Sequence, residues 1–346
     1  MPRIYFSNDK RTVDQLLIAL SSKDWGVRRV AAHELGNRGD CSAVEPLIQA
    51  LNDPSHSVCD EAILALGKLG DQKAIDALVL MFNKPSHAYY SARALSSIKS
   101  KRVTKPLISG LISKEVIIRR SSAEALGYVK DKKAIEYLIE ALKDEDNIVR
   151  KYAAYSLGKY KDSKSIQPLL DILKNEAIKR ENGTTPSYID SFEEVQVACI
   201  FALGSIGDQN IDEHILEFLE SDYRNLVYAA IYTLGEIQSQ KALKPLLKLF
   251  DDDSTRKWCG HYIAVALGKI GDEKVFEPLI KALSEEDEVI RIAATDGLGY
   301  LGNSRAIPAL KLARKNDTGI DEFGESVKEH ATKAIHRIQK CSTINN

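Results

Sequence analysis

The side chains able to do chemistry are spread thinly along this chain. Its seven histidines, His33, His56, His87, His214, His261, His330 and His336, form no H-x-x-x-H pair and no H-E-x-x-H motif. No single helix face therefore offers a metal two imidazoles one turn apart. The five cysteines, Cys41, Cys59, Cys199, Cys259 and Cys341, include no C-x-x-C pair and no zinc-type spacing. Cys59 and Cys199 fall where their segments are otherwise apolar or small, which points to buried free thiols suited to a reducing cytosol. No glycine-rich phosphate loop and no G-x-S-x-G occurs. The densest polar cluster is Cys259-Gly260-His261 near Asp251, Asp252 and Asp253. A thiol among carboxylates could hold a transient metal or act as a nucleophile. An acidic helix start followed by a buried cysteine accounts for the same residues, and spacing alone does not place the carboxylates on the thiol. The chain is thus expected to carry no catalytic residue, no metal and no cofactor of its own.

Binding is the other chemistry these side chains could support, and it depends on where a repeat places them. The stretch Glu61-Ala62-Ile63-Leu64-Ala65-Leu66-Gly67-Lys68-Leu69-Gly70-Asp71 recurs along the sequence. Leu66 has counterparts at Leu35, Leu95, Leu126, Leu157, Leu203, Leu234, Leu267 and Leu298, with Ile335 a weaker tenth, and most steps are 31 residues. A second series, Leu16, Leu47, Leu78, Leu107, Leu138, Leu169, Ile215, Leu246, Leu279 and Leu310, follows the first at a constant 12 residues from Leu47 onward. Two helical patterns per unit of this length mark an α-solenoid. The fold is therefore read as all-α, a single right-handed α-solenoid over residues 1–346, with about ten helix pairs filling 12–340. Because every length change falls between helix A (as in 44–48) and helix B (as in 58–69), a tight turn joins each B to the next A.

Other residues support these elements. Gly36 and its counterparts imply close backbone packing, because a helix-interior glycine costs about 1 kcal/mol relative to alanine. Small pairs such as Ala31-Ala32 and Ala153-Ala154 suit helices about 8–10 Å apart. Gly39, Gly70, Gly207, Gly271 and Gly302 suit helix C-termini, and Asp40, Asp71, Asp208 and Asp272 suit the start of the next helix. Residues 175–191 read as an inserted loop, being polar and carrying Gly183 and Pro186. Residues 251–258 read as an altered A-to-B loop, and a charged helix at 327–338 reads as the C-terminal cap.

Aromatic residues gather on one face of the B helices. Two positions before the repeat leucine stand Arg93, Tyr155, Phe201 and Tyr232, and four positions earlier, on the same face, stand Tyr89, Tyr228 and His261. Trp258 lies one turn before His261. These eight residues form a candidate partner-binding patch on the concave face, with Tyr155, Phe201 and Tyr232 as its ladder. Tyrosine and tryptophan anchor interfaces at low entropic cost. Filling of gaps between repeats is the other role large rings could have.

The run Val149-Arg150-Lys151-Tyr152-Ala153-Ala154-Tyr155-Ser156-Leu157-Gly158 resembles the phycobilisome-lyase type of HEAT-like repeat, over roughly residues 12–340. That resemblance implies an all-helical array with its B helices lining a concave face. Such repeats occur in phycobilin lyases, in deoxyhypusine hydroxylase and in plain binding scaffolds. Deoxyhypusine hydroxylase binds two irons through repeated His-Glu pairs on helix B. Here the matching columns hold one such pair, His33-Glu34, which cannot build a di-iron site. His33 is expected instead at the surface or bonded between repeats.

Lys+Arg 48 against Asp+Glu 49 gives a net charge of −1, which argues against a dedicated nucleic-acid surface. No run approaches the roughly 18 apolar residues of a membrane span, and the start lacks the apolar core of a signal peptide. The expected function is a cytoplasmic, non-catalytic scaffold for a protein partner. The resemblance supplies the alternative, handling of a linear tetrapyrrole or of a phycobiliprotein.

Overall fold

The computed structural model describes residues 10–181, 190–317, 319, 324 and 326–344. They form helices and short turns without a strand. The chain divides into two compact units, 1–160 and 161–346, each holding five helix pairs. The first stack holds α1 (Val13–Ala19), α2 (Trp25–Arg38), α3 (Val44–Ala50), α4 (His56–Leu69), α5 (Ile75–Phe82), α6 (Ala88–Ser97), α7 (Thr104–Gly110), α8 (Val116–Val129), α9 (Ile135–Ala141) and α10 (Asn147–Tyr160). The second holds α11 (Ile166–Glu181), α12 (Asp190–Ile206), α13 (Asp212–Leu216), α14 (Arg224–Glu236), α15 (Leu243–Asp251), α16 (Asp253–Ile270), α17 (Phe276–Ala282), α18 (Glu288–Leu301), α19 (Ile307–Asn316) and α20 (Val327–Ile344). Within each unit an odd-numbered A helix packs on its own B helix, and each B helix packs on the next.

Both leucine series are fully buried, from Leu16 and Leu35 through Leu298 and Leu310. They form the core, and each contributes about 1.5–3 kcal/mol by leaving water. Glycine explains how closely B helices approach. A Cβ on Gly36 would stand 2.7 Å from the Ala65 Cα, and one on Gly268 would stand 2.2 Å from the Gly297 carbonyl oxygen. Both contacts reach the residue before the next repeat's leucine, and both are too short for any side chain.

The Val-Arg signature has a physical cause. Arg28 donates from Nε and Nη2 to Asp53 of the next repeat at 2.6 and 2.8 Å, and from Nη1 to the Ser22 carbonyl in its own repeat at 2.8 Å. Arg119 does the same with Asp144 and the Ser113 carbonyl, and Arg291 with Asp317 and the Glu285 carbonyl. One planar guanidinium thus ties two A-to-B turns together, which a lysine could not match. His33 Nδ1 lies 3.1 Å from Glu61, one repeat on, as expected of an inter-repeat histidine.

Helix ends follow the sequence. Gly39, Gly70, Gly271 and Gly302 close B helices in the left-handed conformation, where Lys130 substitutes at φ 54°. Asp40, Asp71, Asp208 and Asp272 each accept from the backbone N–H two residues on. They cap a short 3-10 turn that leads into helix A, not helix A itself.

Three expectations need correction. Residues 175–181 are not loop but continue α11, and α12 resumes at Asp190. Asn175-Glu176-Ala177-Ile178-Lys179-Arg180-Glu181 consists mostly of good helix formers, and the breakers Gly183 and Pro186 come later. Residues 182–189 lie outside the described residues. The altered loop at 251–258 shrinks to Asp252, which caps α16 by accepting from the Thr255 N–H. The C-terminal helix continues past residue 338 to Ile344.

Candidate functional site

The second unit brings its aromatic B-helix residues together. Phe201 on α12 meets Tyr228 and Tyr232 on α14 edge-on, with ring centroids 5.8 and 5.4 Å apart. Tyr228 meets Tyr262 on α16 at 4.2 Å, and Tyr262 meets His261 at 5.6 Å. Edge-to-face pairs of this kind each contribute about 0.5–1.5 kcal/mol beyond burial. They hold the rings in fixed orientations. Phe201 and Tyr228 are half-buried, whereas Tyr232, Tyr262 and Tyr300 are exposed at 39, 42 and 39%.

A groove of about 340 Å³ runs over these rings, across α14, α16, α18 and α20. Tyr228, Tyr232, Tyr262 and Tyr300 give it an aromatic wall, and Lys269, Lys333 and Arg337 give it cations. Lys269 reaches the rings of Tyr232 and Tyr300, at 5.4 and 5.1 Å, and pairs with Glu236. Arg337 lies over the Tyr300 ring at 3.9 Å. One of its terminal nitrogens is buried with no hydrogen-bond partner among the described residues. Asp296 is taken by His330, 2.9 Å away. The groove therefore combines rigid aromatic surface with a net positive lining and a donor in want of an acceptor. Burial pushes the Tyr228 hydroxyl up from its ordinary range, so this ring meets a partner as a neutral phenol.

The eight residues expected from sequence distribute unevenly. Tyr228, Tyr232 and His261 line the groove, and Phe201 backs it. Trp258 does not line it. Its ring receives Arg224 at 5.3 Å, at the start of α14 and α16. Tyr155 on α10 and Tyr89 and Arg93 on α6 belong to the first unit, where all three are exposed and Tyr89 packs edge-on to Tyr90.

Sequence reasoning missed Lys269, Tyr300 and Arg337, which share one column two residues after the repeat leucine. That column is one turn beyond the column of Tyr232, on the same face, so the same spacing rule carried toward the C-terminus finds it. In the first unit it places Lys159 over Tyr128 at 3.5 Å and Lys68 on Asn37 at 2.7 Å. Tyr262 has no such signal. It adjoins His261, and successive helical residues point about 100° apart.

The Cys259 cluster does not assemble a nucleophile. Cys259 is buried, its thiol donates to the Thr255 carbonyl at 3.3 Å, and burial pushes it up to about 12, so thiolate is negligible at neutral pH. Hydrogen bonds from Ser254 and Thr255 hold the Asp252 carboxyl down to about 2 in its capping role. Cys59 and Cys199 are buried, and Cys41 is exposed. No described helix is long and apolar enough to cross a membrane.

Comparison with known proteins agrees with this architecture. A profile of HEAT repeats matches residues 13–99, 104–181, 187–259 and 260–322. Phycocyanobilin lyase subunit alpha of Picosynechococcus sp. is 32% identical over 108 residues, which cover 29% of this chain and 40% of that protein. Deoxyhypusine hydroxylase of Schizosaccharomyces pombe is 28% identical over 117 residues, 32% of this chain and 35% of that one. The match thus spans well under half the length of these curated relatives. A chain from the solved complex of Kap95p with RanGDP superposes with a TM-score of 0.59 at 12% identity, covering 93% of this chain and 50% of its own length, a likeness of fold alone. The chain belongs to the HEAT-repeat family.

Proposed function

We propose that this protein is a non-catalytic scaffold and that the groove across α14, α16, α18 and α20 binds a segment of a protein partner. The observation that carries this reading is the convergence of Tyr228, Tyr232, Tyr262 and Tyr300 beside Lys269 and Arg337. Pre-oriented tyrosines lose little entropy on binding, and the unmet Arg337 donor suits a partner carbonyl or carboxylate. The buried thiols support a cytoplasmic setting. Similarity to phycocyanobilin lyase subunit alpha favours a second reading, in which the partner is a phycobiliprotein or the ligand a linear tetrapyrrole.

The test is capture from lysate of the native host, with an absorbance scan of the eluate. The wild-type chain is set beside Tyr232→Ala/Tyr262→Ala/Tyr300→Ala and beside Tyr89→Ala/Tyr155→Ala. Truncating a true anchor costs about 2 kcal/mol or more of binding, whereas an exposed substitution moves folding by less than about 0.5 kcal/mol. The groove variant should lose a colourless partner while its melting temperature holds, and the first-unit variant should keep it. A visible tetrapyrrole band would favour the second reading. Undiminished capture by the groove variant would refute the site.

A further inference from the structure

Outside the groove, the first unit holds a histidine pair that the scaffold reading does not use. His56, the exposed first residue of α4, and His87, the buried residue immediately before α6, face each other with Nδ1 and Nε2 3.2 Å apart. The other nitrogen of His87, Nδ1, lies 2.8 Å from Asp60 Oδ1. Asp60 thus fixes the His87 tautomer, with the proton on Nδ1 and a lone pair on Nε2 directed at His56. A carboxylate holding the far nitrogen of an imidazole is the arrangement that surrounds metal-bound histidines.

The spacing suits a shared cation. Two nitrogens about 2.0–2.1 Å from one tetrahedral zinc lie about 3.3 Å apart, and their ring centroids lie about 5.2 Å apart. The observed values are 3.2 Å between nitrogens and 5.1 Å between centroids.

We propose that His56 Nδ1 and His87 Nε2 form a two-imidazole site for a divalent transition cation of the zinc type, clamping α4 to the start of α6. Imidazole nitrogen selects this class over magnesium or calcium. Among the described residues no third histidine, cysteine or carboxylate joins the pair, so water fills the remaining positions. Binding involves no redox step. The proton on His56 Nδ1 gives way to the metal and passes by solvent to Nε2 of the same ring, so both imidazoles stay neutral.

The test titrates the full-length chain with Zn²⁺ alone by calorimetry, and with Co²⁺ as a visible probe. Wild-type protein should take up one equivalent, shift the visible ligand-field bands of Co²⁺ from those of the aqueous ion, and melt at a higher temperature with Zn²⁺ than without. His56→Gln, at an exposed position, should fold normally and lose the binding and the thermal gain. Asp60→Asn should weaken binding about ten- to a hundredfold. Should a variant not fold, imidazole proton resonances of the wild-type chain supply the readout, with the rings of His56 and His87 shifting on Zn²⁺ addition. Equal Zn²⁺ binding by wild type and His56→Gln, shifts confined to His33 or His330, or no uptake by the wild-type chain would each overturn the proposal and leave the pair as a hydrogen bond.

Discussion

Gly268→Ala tests how the stack is held together. The new Cβ would stand 2.2 Å from the Gly297 carbonyl oxygen and 2.9 Å from its carbon. The obstacle is backbone of α18, so no rotamer change relieves it, and α16 and α18 must separate by roughly an ångström. That separation loosens the buried contacts around Leu267 and Leu298. Overpacking of this kind costs about 1–3 kcal/mol and occasionally more. The exchange of glycine for alanine in a helix interior returns about 1 kcal/mol. Because the atoms in the way are backbone, the upper half of that overpacking range applies, so the net loss should reach about 1–2 kcal/mol, or a melting temperature lower by about 2–8 °C for a unit of this size. Gly260→Ala, on the same α16, is the control. Its Cβ meets Arg256 side-chain carbon at 3.0 Å, with no backbone in the way, and should be neutral or mildly stabilising. Both are read by thermal and urea unfolding followed by circular dichroism. If Gly268→Ala proves as stable as the wild-type chain, close backbone approach is not why glycine stands there.

Two further outcomes follow from the electrostatics. Hydrogen bonds from Arg28, Arg120 and Arg291 hold Asp53, Asp146 and Asp317 below their ordinary range. A depressed carboxylate stabilises the fold above its unfolded value of about 3.9 and loses that contribution as pH falls through its folded value. Urea midpoints should therefore be flat near neutrality and fall below about pH 4, and Arg291→Gln should make that acid limb shallower. Alkylation by iodoacetamide at pH 8, followed by mass spectrometry, should label exposed Cys41 well before Cys59 and Cys259, whose thiols burial pushes up. Early labelling of Cys259 would revive it as a nucleophile.

The parts of the fold that were legible in the sequence are those that every repeat must solve alike. A buried leucine, a glycine at the helix crossing and an aspartate before the next turn recur because the packing problem recurs. The arginine of the Val-Arg signature was legible as a pattern but not as a clamp, since its partner, Asp53 for Arg28, lies 25 residues away. Segments 175–181 and 251–258 show why polar composition alone does not define a loop. In the first, helix formers precede the breakers, and in the second the acidic residues are the ones a helix N-terminus favours.

The sites were less legible because they arise where repeats differ. In the groove, the columns two before and two after the leucine were equally readable, and extending the helical spacing one turn would have joined Tyr300 and Arg337 to Tyr232. Tyr262 could not be found this way, because its contact with Tyr228 depends on how α14 and α16 cross. The histidine pair shows the limit more sharply. His56 stands ten residues before its repeat leucine, and His87 stands eight before its own, because the step from Leu66 to Leu95 is short. Column by column they never align. Helix α6 begins seven residues before its leucine where α4 begins ten before, so His87, in the connection ahead of α6, stands over the first residue of α4. The two rings are nonetheless one full period apart, at 31 residues, and the two missing residues fall between His87 and Leu95, so columns anchored on the leucine hide a pair that the period itself brings together.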